Sequence, residues 1–110
     1  STDSCDYSDL AQPACQAVIR QECDKALLFC GTGIGMSMSA NKIKGIRAAV
    51  CSDSFSAKYT RLHNDANVLC LGERVVGPCL AAELVDLFLD TELEGGRHQR
   101  RVDKIALLER

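Results

Sequence analysis

Three short apolar runs set the strongest limit on what this chain can fold into. They are Ala26-Leu-Leu-Phe-Cys30, Gly45-Ile-Arg-Ala-Ala-Val-Cys51 and Asn67-Val-Leu-Cys-Leu71. Strands with one wet face alternate apolar and polar residues. Near-continuous runs of this length instead read as strands covered on both faces, which is the pattern of a parallel sheet under helices.

The stretches between them carry helix signals. Ser8 or Asp9 can cap a helix over Leu10–Glu22, with Leu10, Ala14 and Val18 on one face. A short helix over Ser37–Lys42 follows a glycine-rich loop, and Asp53 or Ser54 can cap Phe55–His63. After Gly77-Pro78, the stretch Cys79–Leu89 is amphipathic, with Leu80, Leu84 and Phe88 on its apolar stripe and Thr91 near its end. Gly95-Gly96 breaks the chain before a basic tail helix, Arg97–Arg110, whose Val102, Ile105, Ala106 and Leu108 give it a dockable side. The order α-β-α-β-α-β-α-α predicts an α/β fold, a three-layer α/β/α sandwich around a Rossmann-like parallel sheet. At 110 residues there is room for one domain, spanning 1–110 with 97–110 as its tail helix. Three strands make a thin sheet, and an upstream β-α-β unit is expected to be missing.

Composition excludes several classes of function. A formal net charge of −2 gives no general nucleic-acid or membrane partner. The apolar runs are too short to span a bilayer, and no signal segment opens the chain, so a cytoplasmic location is expected. The 7 cysteines are an odd number, contain no CxxC and have no zinc-ligand spacing, so no metal site is expected. Six of them read as reduced, buried thiols. Cys30 is the exception, because of where it stands.

Cys30-Gly-Thr-Gly-Ile-Gly-Met-Ser37 follows a strand and opens a helix. Open α/β sheets bind ligands at that place, beyond the carboxyl ends of their strands. Gly31, Gly33 and Gly35 allow close approach of backbone to a ligand. The helix start offers N–H groups to an anion and stabilises a thiolate, so Cys30 can act as base or nucleophile. The run is neither a phosphate-binding P-loop, since no Lys follows the glycines, nor a dinucleotide fingerprint, since its spacing is Gly-x-Gly-x-Gly. Met36 stands where a cysteine phosphatase needs Arg. Two more polar groups sit at promising places. His63-Asn64-Asp65 precedes the third strand, and Glu73-Arg74 follows it. In the tail, Arg97 and Arg101 are four apart on one helix face and suit a phosphate dianion.

Taken together, these segments resemble the ribose-5-phosphate isomerase B family, which includes galactose- and allose-6-phosphate isomerases. The resemblance is carried by Cys30-Gly-Thr-Gly-Ile-Gly-Met-Ser, Ala-Asn-Lys, Lys-Gly-Ile-Arg-Ala-Ala, His-Asn-Asp-Ala-Asn-Val-Leu, Gly-Glu-Arg-Val-Val-Gly and Glu-Gly-Gly-Arg-His-Gln-Arg-Arg-Val, with Asp6-Tyr7 near the start. It implies interconversion of ribose 5-phosphate and ribulose 5-phosphate, a step of the pentose phosphate pathway, without metal or organic cofactor. Cys30 would remove the proton next to the carbonyl, giving a cis-enediolate. Thr32 and the backbone N–H groups of Gly33 to Gly35, with Gly31 and Ile34 in the same cradle, would stabilise its oxyanion. His63 would open the furanose ring, and Asn64 would hold sugar hydroxyls. Arg97 and Arg101 would hold the phosphate. Arg74 would touch substrate, across a subunit boundary in a homodimer or homotetramer with shared active sites.

The family pattern opens with a strand carrying Ser-Asp-His-Ala-Gly or similar, then a helix and a second strand, and this sequence has none of it. The resemblance therefore implies the C-terminal, larger part of such a domain, inactive by itself. In the flavodoxin-like strand order 2-1-3-4-5, the missing first strand would lie beside Ala26–Cys30. Two other readings stand next to the pentose isomerase: a galactose- or allose-6-phosphate isomerase, and a non-catalytic sugar-phosphate-binding fragment.

Overall fold

The structure is a computed structural model and describes residues 7–109. Eight elements follow one another: α1 (Tyr7–Ile19), β1 (Ala26–Cys30), α2 (Ile34–Ala40), β2 (Ala48–Val50), α3 (Ser54–Leu62), β3 (Val68–Gly72), α4 (Pro78–Asp90) and α5 (Arg97–Ala106). The expected order of helices and strands is the one observed. No helix among the described residues is long and apolar enough to cross a membrane.

The sheet is parallel throughout, in the order β1-β3-β2. The flavodoxin-like order would have put residues 48–50 beside residues 26–30, so this expectation is corrected. The most apolar strand takes the centre: all five residues of β3 are buried. Strand β2 is only three residues long, is partly exposed and lies at the edge. That edge is closed by a side chain. Asn41 Nδ2 donates to the Ala48 carbonyl at 2.9 Å, and Asn41 Oδ1 accepts from the Ala48 N–H at 2.8 Å. This satisfies backbone groups that a further strand would otherwise pair.

Alternate residues of β3 feed two cores. Val68 and Cys70 pack with Cys15, Val18, Leu28, Met36 and Ala40 under α1 and α2. Leu69 and Leu71 pack with Ala57, Leu84 and Phe88 under α3 and α4. Helices on both faces make the three layers that the continuous apolar runs predict. Burying Leu69, Leu71, Leu84 and Phe88 contributes on the order of 1.5–3 kcal/mol each.

Several boundaries differ from the expected ones. Helix α1 begins before Ser8, so neither Ser8 nor Asp9 is its cap, and it ends at Ile19 rather than Glu22. Its end is a Schellman turn: Gln21 takes φ 62°, while Glu22 N–H reaches the Ala17 carbonyl and Gln21 N–H the Val18 carbonyl. The strand expected from Gly45 starts only at Ala48. There the Asn67 side chain replaces the ladder, accepting from Arg47 N–H and donating to the Gly45 carbonyl. Helix α2 starts three residues before the expected Ser37. The tail helix stops at Ala106, and of Val102, Ile105, Ala106 and Leu108, expected to form its dockable side, only Val102 is buried. Cys15, Cys51 and Cys70 are buried, but Cys23 and Cys79 are exposed, against the expectation of six buried thiols. Cys5 and Asp6 lie outside the described residues.

Candidate active site

Cys30 ends β1 directly opposite Gly72 of β3. Beyond it the chain folds back over the sheet end so tightly that a Cβ on Gly72 would stand 2.5 Å from the Thr32 carbonyl. Gly33 then takes φ 83°, a left-handed conformation, and is buried against Val50 and the backbone of Leu71. This turn brings the Gly33 N–H back onto Cys30, where it donates to Sγ at 3.0 Å. The sulfur thus lies beside the start of α2 with one backbone donor aimed at it.

The loop uses some of the N–H groups that the sequence suggested for an oxyanion. Gly33 N–H serves Cys30, and Ile34 N–H donates to Thr32 Oγ1 at 3.2 Å. Gly35 lies in the first turn of α2, and Ser37 Oγ donates to the Ile34 carbonyl at 2.7 Å, bracing that turn. Arg74 lies over the loop. Its N–H donates to the Gly31 carbonyl at 3.0 Å, and its side chain passes 3.6 Å from where a Cβ on Gly31 would be. Glu73 N–H donates to the Cys30 carbonyl at 2.8 Å. Cys30, Gly31, Thr32, Gly33, Ile34, Gly35 and Arg74 thus form one cluster.

A second cluster lies at the end of β2. Asp53 caps α3, its carboxylate accepting from Ser56 N–H at 2.8 Å. That contact is the main reason its carboxyl is held below the usual range. The helix then presents Phe55, Tyr59 and His63 at successive i,i+4 positions. Phe55 stacks on Tyr59 at 4.3 Å, and Tyr59 meets His63 edge-on at 4.8 Å. On its other side His63 stacks on His98 of α5, with centroids 3.9 Å apart and planes 9° from parallel. These rings, with Val50, Cys51, Asn64 and Arg101, line a cavity of about 420 Å³, within the size range of small-ligand sites. Arg97 stands exposed on the same helix turn as His98 and does not line it.

His98 is buried, and burial is the first cause holding its imidazole below the ordinary histidine range. The neighbouring His63 and the positive charges of Arg97 and Arg101 push the same way, while Glu94 opposes them. The Glu94 carboxylate is 3.8 Å from His63 Nε2, beyond hydrogen-bond length. His63, Glu94 and His98 bring their ligand atoms within 4.8 Å of one another, enough to consider a metal ion. The two rings are nearly parallel, however, so their in-plane lone pairs do not converge on one point.

The fold therefore gathers the expected residues into two groups rather than one. Central β3 separates β1 from β2, and Val50 is the joint between the groups: it touches Gly33 on one side and lines the cavity on the other. His98, Tyr59, Phe55 and Glu94 were not picked out as site residues by sequence reading. The i,i+4 run Phe55–Tyr59–His63 carries a signal for two of them. His98 was visible only as one member of a basic tail.

The family model for Ribose/Galactose Isomerase matches residues 1–105. The chain belongs to that family. Ribose-5-phosphate isomerase B of Escherichia coli is 50% identical over 109 residues, which cover 99% of this chain and 73% of the relative. D-erythrulose-4-phosphate isomerase of Pectobacterium atrosepticum is 46% identical over 103 residues, covering 94% and 68%. The solved structure of Clostridium thermocellum ribose-5-phosphate isomerase B superposes with a TM-score of 0.96 at 51% identity, covering 99% of this chain and 74% of that one. Like other members of the ribose/galactose isomerase family, this chain is thus homologous to sugar-phosphate isomerases, and it spans about 70% of the length of those named.

Proposed function

We propose that this protein is an aldose–ketose isomerase that interconverts ribose 5-phosphate and ribulose 5-phosphate. The observation that carries this reading is the Gly33 N–H donated to Cys30 Sγ at 3.0 Å, at the carboxyl end of a parallel strand. A cysteine sulfur held there can serve as a base with a hydrogen-bond donor already in place.

In the open-chain aldose, Cys30 takes the proton from C2. The C2 electrons form the enediolate double bond, and the carbonyl oxygen at C1 takes up the negative charge. Thr32 and the N–H groups at the start of α2, with Gly31, Gly33, Ile34 and Gly35 shaping the cradle, stabilise that charge. Cys30 then returns a proton to C1 as the C2 carbonyl forms, and the O2 proton passes to O1, which becomes the C1 hydroxyl. His63 acts earlier, on the furanose ring, and Asn64 orients hydroxyls. Arg97 and Arg101 hold the phosphate. Arg74 contacts substrate within a cytoplasmic homodimer or homotetramer that shares its sites. Residues 1–110 belong to one sugar-phosphate isomerase domain, which uses no cofactor.

The pentose is favoured over galactose or allose 6-phosphate because Cys30, His63, Arg97 and Arg101 occur together in one chain. The names of the Escherichia coli and Clostridium thermocellum relatives support the same substrate. The test is deuterium uptake from D₂O at C2 during turnover, with rates on pentose and hexose phosphates side by side. It is run on the chain alone and on the chain extended by the strand–helix–strand segment of a relative. Cys30→Ala should lower exchange by about 10³-fold. Undiminished exchange in that variant would remove Cys30 as base. Exchange in neither form would leave the non-catalytic binding reading.

A further inference from the structure

We propose that His98 is the positioning residue for His63: its buried ring holds the His63 imidazole at the angle from which it acts on the sugar ring. The inference rests on the ring-opening role proposed for His63 and extends it to a residue of another helix.

The geometry is a clamp. In the first turn of α5, Arg97, Gln99 and Arg100 are exposed, whereas His98 is only 5% exposed. Together with Val102, four residues on, it is one of two buried residues of that helix. The anchor of α5 is thus also the surface against which His63 lies, at 3.9 Å and 9°. Tyr59 meets the same imidazole edge-on at 73°. A ring held by one parallel and one near-perpendicular neighbour cannot turn about χ2 without losing a contact. The backbone is fixed as well. His63 N–H donates to the Tyr59 carbonyl at 2.9 Å, and Glu94 N–H ties the segment before α5 to the Leu62 carbonyl at 2.9 Å.

The charges around the pair suit this role. Glu94 faces it from the segment before α5, Arg97 and Arg101 from α5, Tyr59 from α3, and the Cys51 thiol from the end of β2. Two imidazolium rings would repel in this stack, and burial, which holds the His98 imidazole below the ordinary range, works against that doubly charged pair. In ring opening the O1 proton is lost, C1=O1 forms, the C1–O4 bond breaks and O4 gains a proton. A misaimed imidazole would slow that step and leave enolisation alone.

Ribulose 5-phosphate separates the two steps. Its O5 is esterified, so it cannot close a furanose, and solvent exchange of its C1 proton needs enolisation only. In His98→Ala, kcat/KM for ribose 5-phosphate should fall about tenfold, with less than a threefold change in C1 exchange. His98→Phe, which keeps a buried ring in the stack, should recover most of the loss. Equal losses in both assays would reduce His98 to a merely structural residue and overturn the proposal, as would no loss in either. A second arm needs no turnover. The imidazole ¹H resonances of His63 in the free protein should lose their ring-current shift in His98→Ala, and unchanged resonances would also overturn the proposal. Absence of C1 exchange in the unsubstituted protein, both alone and extended by the strand–helix–strand segment of a relative, would count against the isomerase reading itself, while the resonance arm would still decide the clamp.

Discussion

Gly72 and Thr32 touch backbone to backbone: a Cβ on Gly72 would lie 2.5 Å from the Thr32 carbonyl carbon and oxygen and 2.7 Å from its Cα. No flexible side chain can give way there. The close approach lets the loop after Cys30 fold over the end of β3, and it sets where Gly33 meets the sulfur. Gly72→Ala should therefore push the loop away. We expect a loss of about 1–3 kcal/mol in urea denaturation, with a loss of isomerase activity larger than the loss of folded protein. A variant with full activity and unchanged stability would show that the loop does not depend on this contact.

The thiols should divide by burial. Desolvation, with Asp53 adding to it, pushes Cys51 up to about 11, and desolvation first, then the neighbouring thiols, pushes Cys70 to about 12. Iodoacetamide near pH 8 should label exposed Cys23 and Cys79 and half-buried Cys30 in the native protein, sparing Cys51 and Cys70. Saturating ribose 5-phosphate should protect Cys30 alone. Native labelling of Cys70 as fast as Cys23, read by peptide mass spectrometry, would contradict the fold as described.

His98 gives stability a pH dependence of known sign. Its imidazole is held below the ordinary value of 6.5, so on acidification the unfolded chain takes up this proton before the native protein does. Stability rises with pH wherever the unfolded state binds more protons. The contribution is therefore full above pH 6.5 and is lost as pH falls through the lowered native value. Urea midpoints measured between pH 5 and 8 should show a drop at the acid end that His98→Phe flattens. An unchanged profile in that variant would assign the drop to other groups.

Arg61 is expected to be the costliest single side chain to lose outside the apolar cores. It is 6% exposed and pairs with Asp65 at 2.8 Å. It also donates to the carbonyls of Thr91 and Ala66 and lies 5.8 Å from the centre of the Phe88 ring. Truncation strands two carbonyls and a carboxylate that also pairs with Arg47 at 3.3 Å. Arg61→Ala should cost about 3 kcal/mol. Arg61→Lys should recover only part of that, because one ammonium cannot span the same fork. A calorimetric Tm unchanged in Arg61→Ala would refute this account.

Much of the fold is legible along the chain, because a buried parallel strand and an amphipathic helix differ in local pattern. Ala26–Cys30 is read correctly as a strand, although only Leu28 of it is buried and Phe29 is exposed rather than covered, and the Leu80–Leu84–Phe88 stripe is read correctly as a packed helix face. Strand order is not legible, because it depends on which strand finds cover on both faces. Here that is Val68–Gly72, and the Asn41 side chain relieves the edge at Ala48. The Cys30 loop can be read from sequence because its residues are contiguous. The His63–His98 stack cannot, since 34 intervening residues separate the rings and nothing local reports their meeting.

The sequence by itself determined the layers, the thiol at a strand end, the glycine turn behind it and the family that these motifs resemble. Those are properties of short segments, where side-chain period and backbone freedom act over a few residues. Only the tertiary structure decided that β3 separates the thiol strand β1 from β2, the strand that leads into the helix capped by His63. It also decided that Val50 joins the two clusters and that a histidine of the last helix lies flat against His63. Each of these follows from how whole elements pack, and packing is settled by the shared burial of residues far apart in the chain.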